Sequence, residues 1–189
     1  MQALSAWLRE RSTVPVVALA AAAFVLFAVL VLPAESARAD RFSGGEGSPD
    51  LSLVYSSADL YRMAEAYGEE GRREYVRARF TFDLVWPLVY GSSLVSVLGW
   101  LSPRAWPASR WGGYGNLVPL AGVVADYLEN LSAAAVMARY PEPSAWAAVL
   151  APAFTFIKWG LLGLSAALIL VTVVAAGWVR LGQGRGNGG

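Results

Sequence analysis

Apolar residues gather in four long blocks separated by polar stretches. The first runs from Thr13 to Leu32 without a charge and meets Pro33. At 1.5 Å per residue, about 20 residues cross a hydrocarbon core of roughly 30 Å. The second runs from about Phe80 to Leu101 and holds Asp83, Pro87, Tyr90 and Gly91. Pro87 should kink it or free a carbonyl. The third covers about Asn116 to Ala138, and the fourth begins near Ser144 and continues to Val179. As one helix the fourth would reach ~54 Å, too long for one crossing. Pro152 is therefore expected to divide a short interfacial piece from a span of roughly Ala153 to Trp178.

Between the first two blocks the pattern changes twice. Gly, Ser, Pro and charge over residues 34–55 predict a flexible linker. Ser56-Ser57-Ala58-Asp59 then has the form of a helix start. Leu60, Met63, Ala64 and Tyr67 follow at i, i+3, i+4, i+7, one apolar stripe. Gly68 is a natural stop. Glu69 and Glu70 suit the positive end of a second helix, which carries Arg72, Arg73, Arg77 and Arg79 and is expected to run straight into the second span. Over residues 56–79 the expectation is an amphipathic hairpin lying on the bilayer surface.

The organisation is thus an N-terminal segment and first span (1–33), a linker (34–55), a surface hairpin (56–79), spans two to four (80–181) and a disordered Gly-rich tail (182–189). The fold class is all-α: a four-helix transmembrane bundle with a short helical hairpin in the first extracytoplasmic loop. Trp7, Trp86, Trp100, Trp106, Trp111, Trp146 and Trp178 fall near the predicted span ends, as an interfacial belt requires.

Composition agrees. The chain is 56% hydrophobic and 15% charged, with a mean hydropathy of +0.45, against about 45–50% and about 25% in soluble domains. A net charge of +1 leaves no basic field for nucleic acid. The chain has no Cys and no His. That removes disulfides, thiol nucleophiles, Ser-His-Asp catalysis, His-ligated haem and the usual zinc sites. Chemistry is left to carboxylates, Lys, Arg, Tyr, Ser, Asn or a hard metal on oxygen ligands, and no cofactor is indicated. Arg9 with Arg11, Arg104 with Arg110, and Arg180 with Arg185 share one side if both termini are cytoplasmic, which predicts a multi-pass protein of the inner (plasma) membrane. The seven Arg of the first loop work against that orientation. The first block also reads as a signal peptide with Ala37-Arg38-Ala39 at its cleavage site. It is longer than the usual h-region of about 7–15 residues, which favours an uncleaved anchor.

The third span carries the chemistry. In Ala125-Asp126-Tyr127-Leu128-Glu129-Asn130, the spacings i, i+3 and i+4 put Asp126, Glu129 and Asn130 on one face close to the midplane. Each carboxylate there costs roughly 2.5–3.5 kcal/mol on insertion scales, so the face must turn inward and find partners. Lys158 is the chain's only Lys. Counting from the turn near Pro141–Ser144 brings it to the depth of Glu129, and it is expected to pair with Asp126 or Glu129. Asp83 lies near Arg79, and Tyr90, two turns deeper on the same face, can bond the third-span acids.

This constellation has several readings: a satisfied polar network fixing helix register, a binding site, a proton or cation pathway, or catalysis. The expected function is a binding or accessory module whose buried acidic site takes a polar headgroup or a partner helix. One alternative is a membrane enzyme acting on a lipid-like substrate through carboxylates or an oxygen-ligated metal. Another is a proton-coupled carrier. The enzyme requires a polar cavity holding at least two of Asp83, Asp126 and Glu129, and the carrier requires access from both faces. The expected partners are membrane lipid, a small amphiphile or a partner membrane helix, and the layout is compatible with a homo-oligomer.

Tyr67-Gly68-Glu69-Glu70-Gly71-Arg72-Arg73-Glu74-Tyr75, Phe82-Asp83 with Trp86-Pro87 and Tyr90-Gly91, and Asp126 with Glu129-Asn130 resemble motifs of uncharacterised bacterial four-span integral membrane proteins. The likeness covers about residues 58–178. It implies the four-span layout and no particular activity. The chain lacks the Gly-x-Gly-Asp of intramembrane aspartyl proteases and the Asp-Gly…Ala-Arg pattern of CDP-alcohol phosphotransferases.

Overall fold

A computed structural model describes residues 1–106 and 114–186, with side chains through residue 179. Among the described residues there are helices and no strands. Helix α1 (Gln2–Arg11) leads into α2 (Val14–Leu26), which passes through a π-helical turn at Phe27–Val31 into α3 (Leu32–Phe42). After the hairpin, α4 (Ser57–Ala66) and α5 (Gly68–Arg79), come α6 (Phe82–Ala105), α7 (Val118–Arg139) and α8 (Ala145–Gly186). Four stretches are long and apolar enough to cross a membrane: Val14–Phe42, Phe82–Ala105, Gly115–Arg139 and Ala145–Val179. The chain is a multi-pass membrane protein built from four long helices. Arg110, Trp111, the side chains of Arg180 and Arg185, and residues 187–189 lie outside the described residues.

The first span does not end at Pro33, and the linker expected over 34–55 is not loose. Proline has no N–H to give, and its ring crowds the carbonyl one turn back. The helix widens to absorb this: Leu32 N–H bonds back to the Phe27 carbonyl, a five-residue step, and α3 continues to Phe42. An ion pair from Arg38 to Glu74 ties α3 to α5. Ser43, Ser48 and Pro49 are then buried, and Pro49–Leu51 forms a 3-10 turn. Gly44 sits at φ +60° with the Ala66 carbonyl in the space a Cβ would need, so no other residue fits there without displacement.

The hairpin starts as expected. Ser56 and Asp59 close a reciprocal capping box. Leu60, Met63, Ala64 and Tyr67 are all buried, in a cluster with Tyr75, Val136, Met137, Ala147, Ala148 and Ala151. The stripe therefore packs on the ends of α7 and α8, and the hairpin caps that end of the helices, its apolar face spent on protein and not on lipid. Nor does α5 run into α6. Phe80 and Thr81 break the helix, with Thr81 at φ −127°, ψ −80°.

Helix α8 is continuous through Pro152, so no separate interfacial piece exists. A proline inside a helix leaves the carbonyl four residues earlier without its donor. Here that is the Ala148 carbonyl, and the Ser57 hydroxyl donates to it at 2.7 Å. The first turns of α8 hold the hairpin. At its other end α8 stays helical through Gly186, where a disordered tail is expected from residue 182.

Helices α6, α7 and α8 pack on one another, while α2 leans mainly on α6. Gly91 of α6 lets the backbone close on Val123 of α7. Helix α7 is the innermost, and the apolar stretch of α2 has no buried residue. Exposed Leu19, Val25 and Leu30 of the first span, and Phe156, Leu170, Val171 and Val174 of α8, make the lipid-facing surface. At the foot, Ser5 Oγ donates to Asn116 Oδ1 at 2.8 Å, placing α1 beside the α6–α7 connection.

If the hairpin is docked, Leu60→Ala should lower stability by about 2–5 kcal/mol, and lipid-facing Leu170→Ala by no more than about 0.5 kcal/mol. Thermal unfolding in micelles measures both. Equal effects would put the hairpin back on the bilayer surface.

Candidate functional site

The polar face of α7 points into the bundle. Glu129 is fully buried, and Asp126 and Asn130 are nearly so. Lys158 of α8 arrives at the same depth, its Nζ 2.5 Å from Glu129 Oε2 and 3.8 Å from Asp126 Oδ1. Thr155, one turn before Lys158, places its Oγ1 2.7 Å from Glu129 Oε1 and 3.1 Å from the Tyr55 hydroxyl. Both oxygens of Asp126 accept: Tyr90 OH donates at 2.7 Å and Asn130 Nδ2 at 3.0 Å.

Asp83 joins the network through Arg79. The guanidinium, only 8% exposed, puts Nε 2.9 Å from Asp83 Oδ2 and donates from Nη1 to Asn130 Oδ1 at 3.1 Å. It also pairs with Asp50 and lies over the Tyr75 ring, 4.4 Å from its centroid. Asp50 is fixed in turn by Ser48 Oγ at 2.9 Å and by Tyr75 OH at 3.3 Å. The structure thus joins all six residues singled out from the sequence (Asp83, Tyr90, Asp126, Glu129, Asn130 and Lys158). It adds five that sequence reasoning left out of the site: Asp50, Arg79, Ser48, Tyr55 and Thr155.

Outside the spans, the electrostatics follow from this packing. Burial works against the charge on Asp50, but Arg79, Lys158 and the Ser48 bond outweigh it and hold the carboxyl below its ordinary value. Burial also works against the Arg79 charge, and Asp50, Tyr75 and Asp83 outweigh it, so the guanidinium stays protonated. Burial, reinforced by Asp50, pushes the Tyr75 phenol well up.

Beside the network lies a cavity of about 410 Å³. Phe24 and Leu32 of the first span, Phe82, Trp86 and Leu94 of α6, and Trp159 and Leu162 of α8 form its apolar walls. Asp50, Arg79, Asp83, Asp126, Asn130 and Lys158 form its polar end, with Arg38, Glu74 and Glu35 at the margin. Glu129 lies behind this wall. Trp86, expected in an interfacial belt, turns inward instead: it stacks on Phe24 and Phe27 at 5.7 and 5.9 Å and meets Tyr90 edge-on at 5.7 Å. Among the described residues no cluster of three or more acids is placed to hold a metal ion.

Comparison with known protein families, with curated proteins and with solved structures finds no match. The site must be interpreted from its own geometry.

Two expectations follow. Lys158→Met leaves Glu129 buried without its cation and should cost about 3–5 kcal/mol. Adding Glu129→Gln should recover most of that loss in thermal unfolding. Equal instability of the single and double variants would remove the pair from the network. The second concerns acid. Because the folded Asp50 carboxyl titrates below 3.8, its contribution is complete above that value and is lost as pH falls through the lower, folded one. Hydrogen exchange at Leu51 and Ser52, corrected for intrinsic rate, should accelerate below about pH 4 in the wild type. In Asp50→Asn it should be fast at every pH.

Proposed function

We propose that this is a plasma-membrane binding protein that takes an amphiphile into the cavity between its first, second and fourth spans. The carrying observation is the two-ended lining. Phe82, Trp86, Leu94 and Leu162 give a hydrocarbon tail an apolar wall, and Arg79, Asp83, Asp126 and Lys158 meet a polar headgroup at the other end. Pockets that fix small ligands commonly pair apolar walls with a few converging polar groups. A cavity of about 410 Å³ lies within the usual range of roughly 300–1,000 Å³.

Cytoplasmic termini are part of the same proposal. Arg9, Arg11 and Arg104 lie at the α1 end of the bundle, away from the hairpin. The Arg of the first loop are largely paired, Arg79 in the interior and Arg62, Arg73 and Arg77 at the surface. Arg38, Arg62, Arg73, Arg77 and Arg79 each pair with an acid, and Arg72 donates to the Ala64 carbonyl. That engagement supports the hairpin as the outer face.

A second reading, a membrane enzyme acting on a lipid-like substrate, draws on one observation: Asp83 and Asp126 both line the cavity. Turnover of a bound amphiphile that stops in Asp83→Asn would separate it from simple binding.

Native mass spectrometry after mild extraction tests the binding reading. The wild type should carry a bound amphiphile. Ala39→Trp, which fills the cavity from α3, should lose it while unfolding at a similar temperature. Equal bound mass on both proteins, or none on either, would overturn the proposal.

A further inference from the structure

The charge count around the cavity is uneven. Among the described residues Asp50, Asp83, Asp126 and Glu129 face only Arg79 and Lys158, so four carboxyl groups share two cations. The marginal Arg38 is already paired with Glu74, and Glu35 adds a further acid. Both buried cations already carry carboxyl partners. Arg79 holds Asp50, Asp83, Asn130 and the Tyr75 face, and Lys158 holds Glu129 with Asp126 beside it. An anionic headgroup would add a fifth negative group to these two cations. Asp83, by contrast, is only 7% exposed, lines the cavity, and accepts no aligned hydrogen bond from any described residue; its Oδ2 meets Arg79 without one. In a low-dielectric setting an excess of negative charge is relieved by a proton or by a cation, and the cavity gives a cation access to Asp83.

The wall beside that carboxylate is aromatic. Trp86 and Tyr90 follow Asp83 by one and two turns on the same face of α6, with Phe82 adjacent. Aromatic faces beside a carboxylate favour organic cations, above all quaternary and protonated amines. An alkyl chain on such a cation would continue along Leu94 and Leu162.

We propose that the amphiphile is cationic, a single-chain amine or quaternary ammonium whose head sits between Asp83, Asp126 and the Trp86–Tyr90 wall. This rests on the amphiphile-binding reading above and gives it a ligand class.

The test uses the full-length protein in nanodiscs of zwitterionic lipid, titrated calorimetrically with decyltrimethylammonium, decanoate and decanol. Ala39→Trp in the same discs corrects for partition. Saturable binding of decyltrimethylammonium is expected, at least tenfold tighter than decanol, with no saturable binding of decanoate. Asp83→Asn should weaken the ammonium at least tenfold and leave decanol unchanged. Should that variant unfold, the three-ligand series on the wild type decides alone. Equal or tighter binding of decanol or decanoate overturns the cationic assignment while leaving an amphiphile site. No saturable binding of any of the three overturns both. If NaCl or MgCl₂ alone raises the unfolding temperature and blocks the ammonium, the occupant is an inorganic cation and the assignment fails.

Discussion

Arg79 leaves the last turn of α5 and buries its guanidinium at the top of the bundle. A cation in that position is tolerated only with partners on every side. It has them in Asp50 from the segment before the hairpin, Asp83 from the first turn of α6, Asn130 from α7 and the Tyr75 face from its own helix. Asp50 and Asn130, far from Arg79 in sequence, therefore have to converge with the α5–α6 junction on one group. The break at Phe80–Thr81 makes sense in this light. A straight α5–α6 helix would carry the hairpin away from α7 and α8, whereas the break turns α5 so that Tyr75 and Gly71 pack inward.

The same accounting runs through the backbone. Pro33 and Pro152 each remove a helix hydrogen bond, and each loss has a specific answer, a widened π turn at one and the Ser57 hydroxyl at the other. The second answer couples distant elements. Ser57 opens α4, and its bond to the Ala148 carbonyl holds the hairpin on α8 at the point where α8 lacks an internal donor.

What could be read from the sequence follows from this division between local and remote partners. The capping box at Ser56 and Asp59 and the stripe from Leu60 to Tyr67 are local, and pattern alone identifies them. The depth match of Lys158 and Glu129 was also accessible, because a short turn joins two adjacent helices and residue counting measures height. Asp50 was not. It sits among Gly, Ser and Pro, a composition that reports chain flexibility, and its partners Arg79 and Tyr75 are some 25 residues away. The continuation of the helix past Pro152 was hidden for the same reason, since the compensating Ser57 hydroxyl lies on a remote helix, whereas past Pro33 the answer is a local π turn that the hydrophobic pattern does not distinguish from an ordinary helix. Trp86 misled differently. Its position near a span end fits an interfacial belt, but the aromatic rings of Phe24 and Phe27 on a neighbouring helix draw it inward.

The cavity owes its existence to unequal packing among the four long helices. Helices α6, α7 and α8 satisfy one another, and their buried ion pairs fix their relative depth. The first span shares none of those pairs. It touches α6 through Phe24 and Phe27 on Trp86, and α5 through Arg38 on Glu74, and its apolar stretch buries nothing else of consequence. It stands as a wall across a gap that the other three helices leave open, with the ionic cluster at the gap's inner end. Lipid competes on equal terms with such a wall, because between apolar helix surfaces and acyl chains there is little hydrophobic preference. The polar side of the site is therefore held rigidly by charge, and the apolar side is held by a few aromatic contacts. A chain-bearing ligand needs that asymmetry, with a fixed point for its head and a yielding surface for its tail.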